Sequence, residues 1–284
     1  LIIGGGVIGL STAWQLATDG VSVCLVDRGD LGREASWAGA GMIPPGAPRS
    51  HFGSATALEQ LAGLSSELHP QWSDRLQEET GVDNEYRRCG SIRLAQATPD
   101  KQALAMELDR WRALGIESIE LDRKLAADVE PRLAVFDIPD SQAALLPAEA
   151  QIHSRKHLQA LVAACRTQGV ALLPDTGIES FTREGNTIVA ANAKGASITA
   201  GQYCITAGCW SGKLADDLEI TLPVKPIRGQ ILLLDGTPGL LNRNIYSGIR
   251  YLTPRRDGQM LVGSTMKAVG FQKENTPATL AGHQ

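Results

Sequence analysis

The chain opens on an apolar run, Leu1, Ile2 and Ile3, followed by three glycines. A short run with two β-branched members ahead of glycines predicts a buried parallel strand. The spacing that follows predicts a helix over 7–18, with Ala13 and Leu16 turned to the sheet and Gly20 as its stop. Val21, Val23, Leu25 and Val26 predict a second strand, ended by Asp27. A loop of small residues then leaves through Pro44 and Pro45. Leu58, Leu61, Leu64 and Leu68 predict a helix over 56–80 with one apolar face.

"EYRRCGSIRLAQATP" reads as a strand pair, with Ile92 and Leu94 alternating. Helices are predicted over 99–114, closed by Gly115, and over 121–130, ended by Pro131. "QAALLPAEAQIH" is strand and loop. Ser154 is the expected N-cap of a helix reaching Thr167, with Gly169 as its stop, and "VALLP" is a strand rejoining the first sheet. Glu184-Gly185-Asn186 and Lys194-Gly195 are turn signals between alternating runs, so a three-stranded meander is expected, then an apolar strand over 203–206. "VKPIRGQILLLD" and "IRYLTPRRDGQMLVGSTM" predict longer strands of a second, antiparallel sheet, the latter with a hairpin at Arg256-Asp257-Gly258. The fold class is therefore α/β. A dinucleotide-binding, Rossmann-like domain of parallel sheet plus β-meander comes from residues 1–75 and 147–218. An antiparallel-sheet substrate domain comes from 76–146 and 219–284. Ligands belong between them, at the carboxyl ends of the parallel strands.

The glycines give the chemistry its first candidate. Gly4-x-Gly6-x-x-Gly9 fits the dinucleotide pattern: the first glycine permits a tight turn, the second lets backbone approach a pyrophosphate, and the third lets a helix sit close to the sheet. The helix N-terminus favours the anion, and Asp27 stands where a carboxylate meets a ribose hydroxyl. Glycines also mark ordinary turns, but here strand, turn, helix, strand and acid occur in order. That order argues for a dinucleotide without choosing FAD over NAD.

Net charge is −4, from 27 basic and 31 acidic residues, which argues against nucleic acid or an anionic membrane as the main partner. No apolar stretch is long enough to span a bilayer and no signal-peptide pattern is present, so a cytoplasmic location is the expectation. Five scattered cysteines show neither zinc spacing nor CxxC, and the histidines form no ligand pair at helical spacing. No metal is expected, and a homo-oligomer stays open. The chain starts inside its first strand without a methionine, and it closes on "TPATLAGHQ", where a helix would begin.

Several motifs then agree in order: Gly4-x-Gly6-x-x-Gly9 with Asp27, "EASWAGAGM", "ITAGCWSG", "VKPIRGQILLL" and "RYLTPRRDGQMLVGSTMKAVGF". Together they resemble the FAD-dependent D-amino-acid oxidase family, nearest its glycine-oxidising branch associated with thiamine biosynthesis. The resemblance implies FAD as cofactor, and an amino acid and oxygen as small-molecule partners. It implies backbone at the pyrophosphate from Val7 and Ile8, and the ribose and adenine end at Asp27 and Arg28. Many relatives carry Glu at the acid, so Asp27 is a mild departure. Ala35 and Ser36 match a phosphate-contacting pair that often carries two hydroxyls, of which only Ser36 supplies one. Ala40, Gly41 and Met42 match the stretch beside the isoalloxazine ring, and Ile178 a position whose backbone meets the adenine.

The residues of "SWAGAGM" are compatible on their own terms. Small side chains let backbone N–H groups approach a flat ring and stabilise a reduced, anionic flavin, although a tightly packed glycine loop has the same composition. Tyr251 matches the family's active-site tyrosine. By strand alternation Ile249 shares its face and Arg250 points away. Its phenol fits two roles, a donor to a substrate carboxylate or a half-buried strand tyrosine with its hydroxyl at solvent. Tyr246 is a second candidate for the substrate, five residues earlier and on the opposite parity. Arg228 reads as a surface strand arginine or, less simply, a pocket cation. The resemblance also implies a carboxylate-clamping arginine and a last glycine-rich segment over the flavin, both beyond Gln284. Oxidation of glycine or another small amino acid is the activity the resemblance implies; a D-amino-acid or sarcosine oxidase or dehydrogenase is the alternative within it, and a truncated flavin-binding module without turnover is the alternative of another class.

Overall fold

A computed structural model of the chain describes residues 1–135 and 143–274. Ile2–Ile3, Cys24–Val26, Ala171–Leu173 and Cys204–Ile205 form a four-stranded sheet, with Ile2–Ile3 between Cys204–Ile205 and Cys24–Val26 and with Ala171–Leu173 at the far edge. All three pairings are parallel. Alternation divides its residues between two cores. Ile2 and Leu25 pack under the Val7–Thr18 and Ser154–Thr167 helices, among Leu10, Ala13, Trp14, Leu161 and Leu76. Ile3 and Val26 face the meander of Ile178–Glu184, Thr187–Ala193 and Ala196–Ile198, meeting Ala191, Phe181 and Ile198.

The second sheet has seven strands, in the order Leu232–Leu234, Met260–Gly263, Arg250–Pro254, Asn244–Ser247, Ser91–Leu94, Ala143–Leu146, Ile119–Leu121. It is antiparallel except at its centre, where Asn244–Ser247 runs parallel to Ser91–Leu94. The expectation of a purely antiparallel sheet is corrected there, because those two strands come from distant segments that no hairpin joins. The Thr98–Ala113 helix covers Ala144 on one face with Leu104 and Leu108, and Arg123–Val129 covers Ile92 and Leu145 on the other. A short ladder, Met42–Ile43 against Ala150–Gln151, lies beside both sheets.

Other expectations are corrected by packing. "EYRRCGSIRLAQATP" gives one strand, Ser91–Leu94, with a single bridge from Arg87 to Gln151 in place of the first. "VKPIRGQILLLD" pairs regularly only over Leu232–Leu234. Leu16 is half exposed, and Leu10 and Trp14 fill the face it was expected to share with Ala13. The long helix Ala57–Thr80 is capped as its sequence asks, with Glu59 N–H donating to Thr56 Oγ1 and Thr56 N–H to the Glu59 carboxylate. Its leucine stripe nonetheless faces outward: Leu58 is 75% and Leu61 63% exposed. The buried positions are Gly63, Ser73 and Leu76. A Cβ on Gly63 would run into the Ala47 carbonyl oxygen, so close approach of the Gly46–Ala47 backbone selects the packed face. Ser154 is the first helical residue rather than the cap, and the His153 ring accepts from Lys156 N–H in that role. The "TPATLAGHQ" segment lies outside the described residues.

Candidate active site

Strands ending side by side leave a crevice at their carboxyl ends. Here it is a cavity of about 400 Å³ between the turn after Ile3, the end of Cys24–Val26 and the turn after Ile205. The glycines shape it as their spacing requires. Gly4 takes φ +114, and a Cβ there would lie 2.6 Å from the Thr206 carbonyl oxygen. A Cβ on Gly9 would enter the Gly4 carbonyl oxygen, so Gly9 lies under the turn and off the cavity wall. Gly6 differs: its Cβ would face the cavity, with only Ser36 Oγ nearby at 3.2 Å.

Gly4, Gly6, Val7, Ile8, Asp27, Arg28, Ala35, Ser36 and Ile178 all line this one space. Val7 N–H donates to Ser36 Oγ at 3.0 Å, which leaves the hydroxyl proton at the helix N-terminus to be given to an anion. The Asp27 carboxylate is fixed by two backbone donors, Gly5 N–H at 2.7 Å and Gly29 N–H at 3.0 Å, one on each oxygen. Each oxygen retains a lone pair for a ribose hydroxyl. Lys213 and Lys225 also line the cavity, a charge balance that suits a pyrophosphate.

The mouth is built by residues that periodicity does not single out. Arg28 stacks over Trp210 at 3.8 Å, and Trp210 stacks on Phe271 with ring centroids 5.5 Å apart. Glu34 pairs with Arg28 at 2.9 Å and Lys273 at 2.5 Å. Burial works to raise the Glu34 carboxyl, but the Lys273 and Arg28 donors outweigh it and hold it below the usual carboxylate range. The position of "ITAGCWSG" after a strand beside Ile2–Ile3 was the available signal for Trp210.

Ala40, Gly41 and Met42 lie apart from that cavity. Gly41 takes φ +77 and its carbonyl accepts from Ile152 N–H at 2.8 Å. Arg255, 7% exposed, donates to the Ala40 carbonyl at 2.8 Å and the Ile152 carbonyl at 2.6 Å. Burial lowers its pKa, and no carboxylate bonds it directly among the described residues. It is a buried cation spent on backbone oxygens, fixing the Ala40–Met42 stretch against the second sheet.

Tyr246 meets Met42 there, with Tyr251 beside it. The parity expected for Tyr246 assumed one continuous strand; instead the chain reverses at Gly248 and Ile249, so Tyr246 pairs directly with Tyr251. Cross-strand partners share a face, and the ring centroids are 6.2 Å apart. Ile249 and Arg250 are both exposed. Gly263 is the next partner of Tyr251, and its missing side chain is the space the Tyr251 ring fills. Tyr246 Oη lies 2.8 Å from Met42 Sδ and donates to Glu149 Oε1 at 2.6 Å. Burial, then the Glu149 charge, raises the Tyr246 phenol far above its ordinary value, and burial raises Tyr251 more mildly. Arg228 bridges to Lys267 through backbone and donates to the Glu274 carbonyl, outside this group.

Sequence reasoning missed Glu149 and Arg93. Glu149 is fully buried and also accepts from Ser91 Oγ at 2.7 Å, Arg93 at 2.9 Å and Asn244 Nδ2 at 3.3 Å. The alternation of Ser91 and Arg93 in "SIRL" was the one local hint of that polar face.

Among the described residues, no helix is long and apolar enough to cross a membrane. The chain is 33% identical to a protein named glycine oxidase from Pseudomonas aeruginosa, over 97% of this chain and 73% of that protein. The crystal structure of glycine oxidase from Geobacillus kaustophilus superimposes with a TM-score of 0.89 at 26% identity, covering 99% of this chain and 74% of the other. The structure of L-proline dehydrogenase from P. horikoshii shares the fold, with a TM-score of 0.80 at 18% identity. The profile of one family, described as FAD dependent oxidoreductase, matches residues 1–283. This chain belongs to the FAD dependent oxidoreductase family.

Proposed function

We propose that this protein oxidises glycine or another small amino acid to the oxo acid, ammonia and hydrogen peroxide. The observation that carries the reading is the placement of Tyr246 against Met42 with Tyr251 at its side, next to a backbone stretch pinned by Arg255. The cleft residues fit FAD: Gly6 leaves the pyrophosphate its space, Val7 and Ser36 offer donors, Asp27 takes the ribose and Ile178 borders the adenine end. Ala40, Gly41 and Met42 would border the ring. FAD, held there, would supply the two-electron redox chemistry of amino-acid oxidation with oxygen as the final acceptor.

The chain's own work is to bind, orient and exclude water. Tyr251 donates its phenolic proton to the substrate carboxylate. Met42 and the two aromatic rings present an apolar wall, which favours the neutral amine needed for oxidation. Hydrolysis of the resulting imine needs no protein base. Support comes from the glycine oxidases at 33% and 26% identity. The test is anaerobic addition of glycine, sarcosine and D-alanine to the yellow holoprotein. Bleaching of the flavin by one of them is expected, with peroxide formed on readmitting oxygen. No bleaching by any of the three refutes the reading, and bleaching without peroxide replaces oxygen by another electron acceptor.

A further inference from the structure

Arg93, Tyr246, Tyr251 and Gly263 form one row across the second sheet, each paired to the next. Within that row the two phenols are wired differently. Glu149 accepts from four groups, the Ser91 hydroxyl, the Arg93 guanidinium, the Asn244 amide and the Tyr246 hydroxyl. Arg93, the cation among them, also lies over the Tyr246 ring at 3.5 Å. A carboxylate that faces a guanidinium and three neutral donors serves all four as an acceptor. A phenol has a single proton. That of Tyr246 is committed to Glu149, because the Met42 sulfur is a far weaker acceptor. What Tyr246 has left is its lone pairs. Tyr251 is placed differently: among the described residues its phenol makes a side-chain hydrogen bond with Ser264 and none with a carboxylate, so no anion claims its proton.

We propose that Tyr246 is the acceptor for the substrate amine N–H, that Glu149 is the positioning residue that enforces this polarity, and that Tyr251 and Tyr246 together read a carboxylate and an amine on one carbon. This rests on the amino-acid oxidation proposed above and assigns the recognition of its two polar ends. A hydroxyl whose proton is held elsewhere repels a carboxylate and accepts from an amine. The pair therefore sets the orientation of the substrate as well as its class.

The test uses the FAD holoenzyme, with glycine as the amine-bearing probe and acetate as the carboxylate-only probe. Tyr246→Phe should raise the glycine KM by roughly ten-fold, the loss of one hydrogen bond, and leave the acetate inhibition constant within about two-fold. Glu149→Gln frees the phenol to turn and should give a smaller shift in the same selective sense. It also guards against misfolding in either variant, because flavin content and the visible spectrum report the fold. Tyr251→Phe should weaken both probes. Equal weakening of glycine and acetate in Tyr246→Phe overturns the proposal, as does no change in either. If glycine never bleaches the wild-type flavin, the proposed function fails by itself. The two probes are then compared through their perturbation of the oxidised flavin spectrum, with the same expected split.

Discussion

Replacing Arg255 by Met removes the guanidinium and keeps an unbranched, apolar stem of similar reach. Two buried carbonyls, Ala40 and Ile152, then lose their charged donor. Leaving a buried acceptor unsatisfied costs about 1–3 kcal/mol each, so the gross loss is about 2–6 kcal/mol. Against it stands the relief of a cation held away from water, whose pKa burial already lowers. A net destabilisation of about 2–4 kcal/mol follows, since neither carbonyl can turn to solvent without dragging the Gly41 turn. At about 2–4 °C per kcal/mol for a chain of this size, thermal unfolding should shift down by roughly 5–15 °C. Because the proposed function puts the Ala40–Met42 stretch beside the flavin, FAD retention should fall in step. The assay is a melting curve of the holoprotein with released flavin fluorescence recorded in parallel. A shift below about 2 °C, inside the range of ordinary surface substitutions, would show that water satisfies both carbonyls and that Arg255 is no strut.

Two further outcomes are expected. Gly6→Ala should fold normally yet retain little FAD, because its Cβ meets only the movable Ser36 hydroxyl, whereas Gly9→Ala should lose folding and flavin together through its clash with the Gly4 carbonyl; equal retention by Gly6→Ala and wild type would refute the first. His157 is buried with its ring held to about 4 by burial and then by His69, so the unfolded chain binds its proton first and stability present above about pH 6.5 is lost as pH falls toward 4, by about 3 kcal/mol; urea midpoints that decline equally for wild type and His157→Gln across that window would remove His157 as the cause.

What could be read from the chain was what is local. Gly4-x-Gly6-x-x-Gly9 and Asp27 lie within one strand, turn, helix and strand, so spacing alone puts Gly4, Gly6 and Asp27 on one cavity and Gly9 beneath its turn. The meander turns at Gly185 and Gly195 are legible for the same reason, both with positive φ. The failures are non-local. The Leu58 and Leu61 stripe has the right period, but the packed face of that helix is chosen by a loop passing over Gly63. Tyr246 was placed on the wrong parity because a reversal at Gly248 is invisible to a count of two. Glu149 gathers donors from strands far apart in the chain, and no window of sequence contains them.

The distribution of contacts explains why the site needs such residues. The nucleotide sheet has its own apolar cores, around Leu10 and Trp14 on one face and Val26 and Ala191 on the other, and the second sheet has separate ones around Ile92 and Ala144. Between them stands a small joint of Ile43, Ala150 and Ile152. Apolar contact is non-directional, so a joint of that size restrains sliding weakly. The bonds around it are polar and directional: Arg255 to the Ala40 carbonyl, Arg87 and Gln151 to the Pro254 carbonyl, and Tyr246 to the Met42 sulfur, its phenol held within the seven-stranded sheet by Glu149. Hydrogen bonds weaken steeply with misalignment, and buried ones are costly to leave unmade. They hold the tyrosine row at one distance from the Ala40–Met42 stretch, the precision that the proposed oxidation would need. Among the described residues, Arg255 thus spends its buried charge where the Ala40–Met42 stretch meets the seven-stranded sheet, and there position matters more than stability.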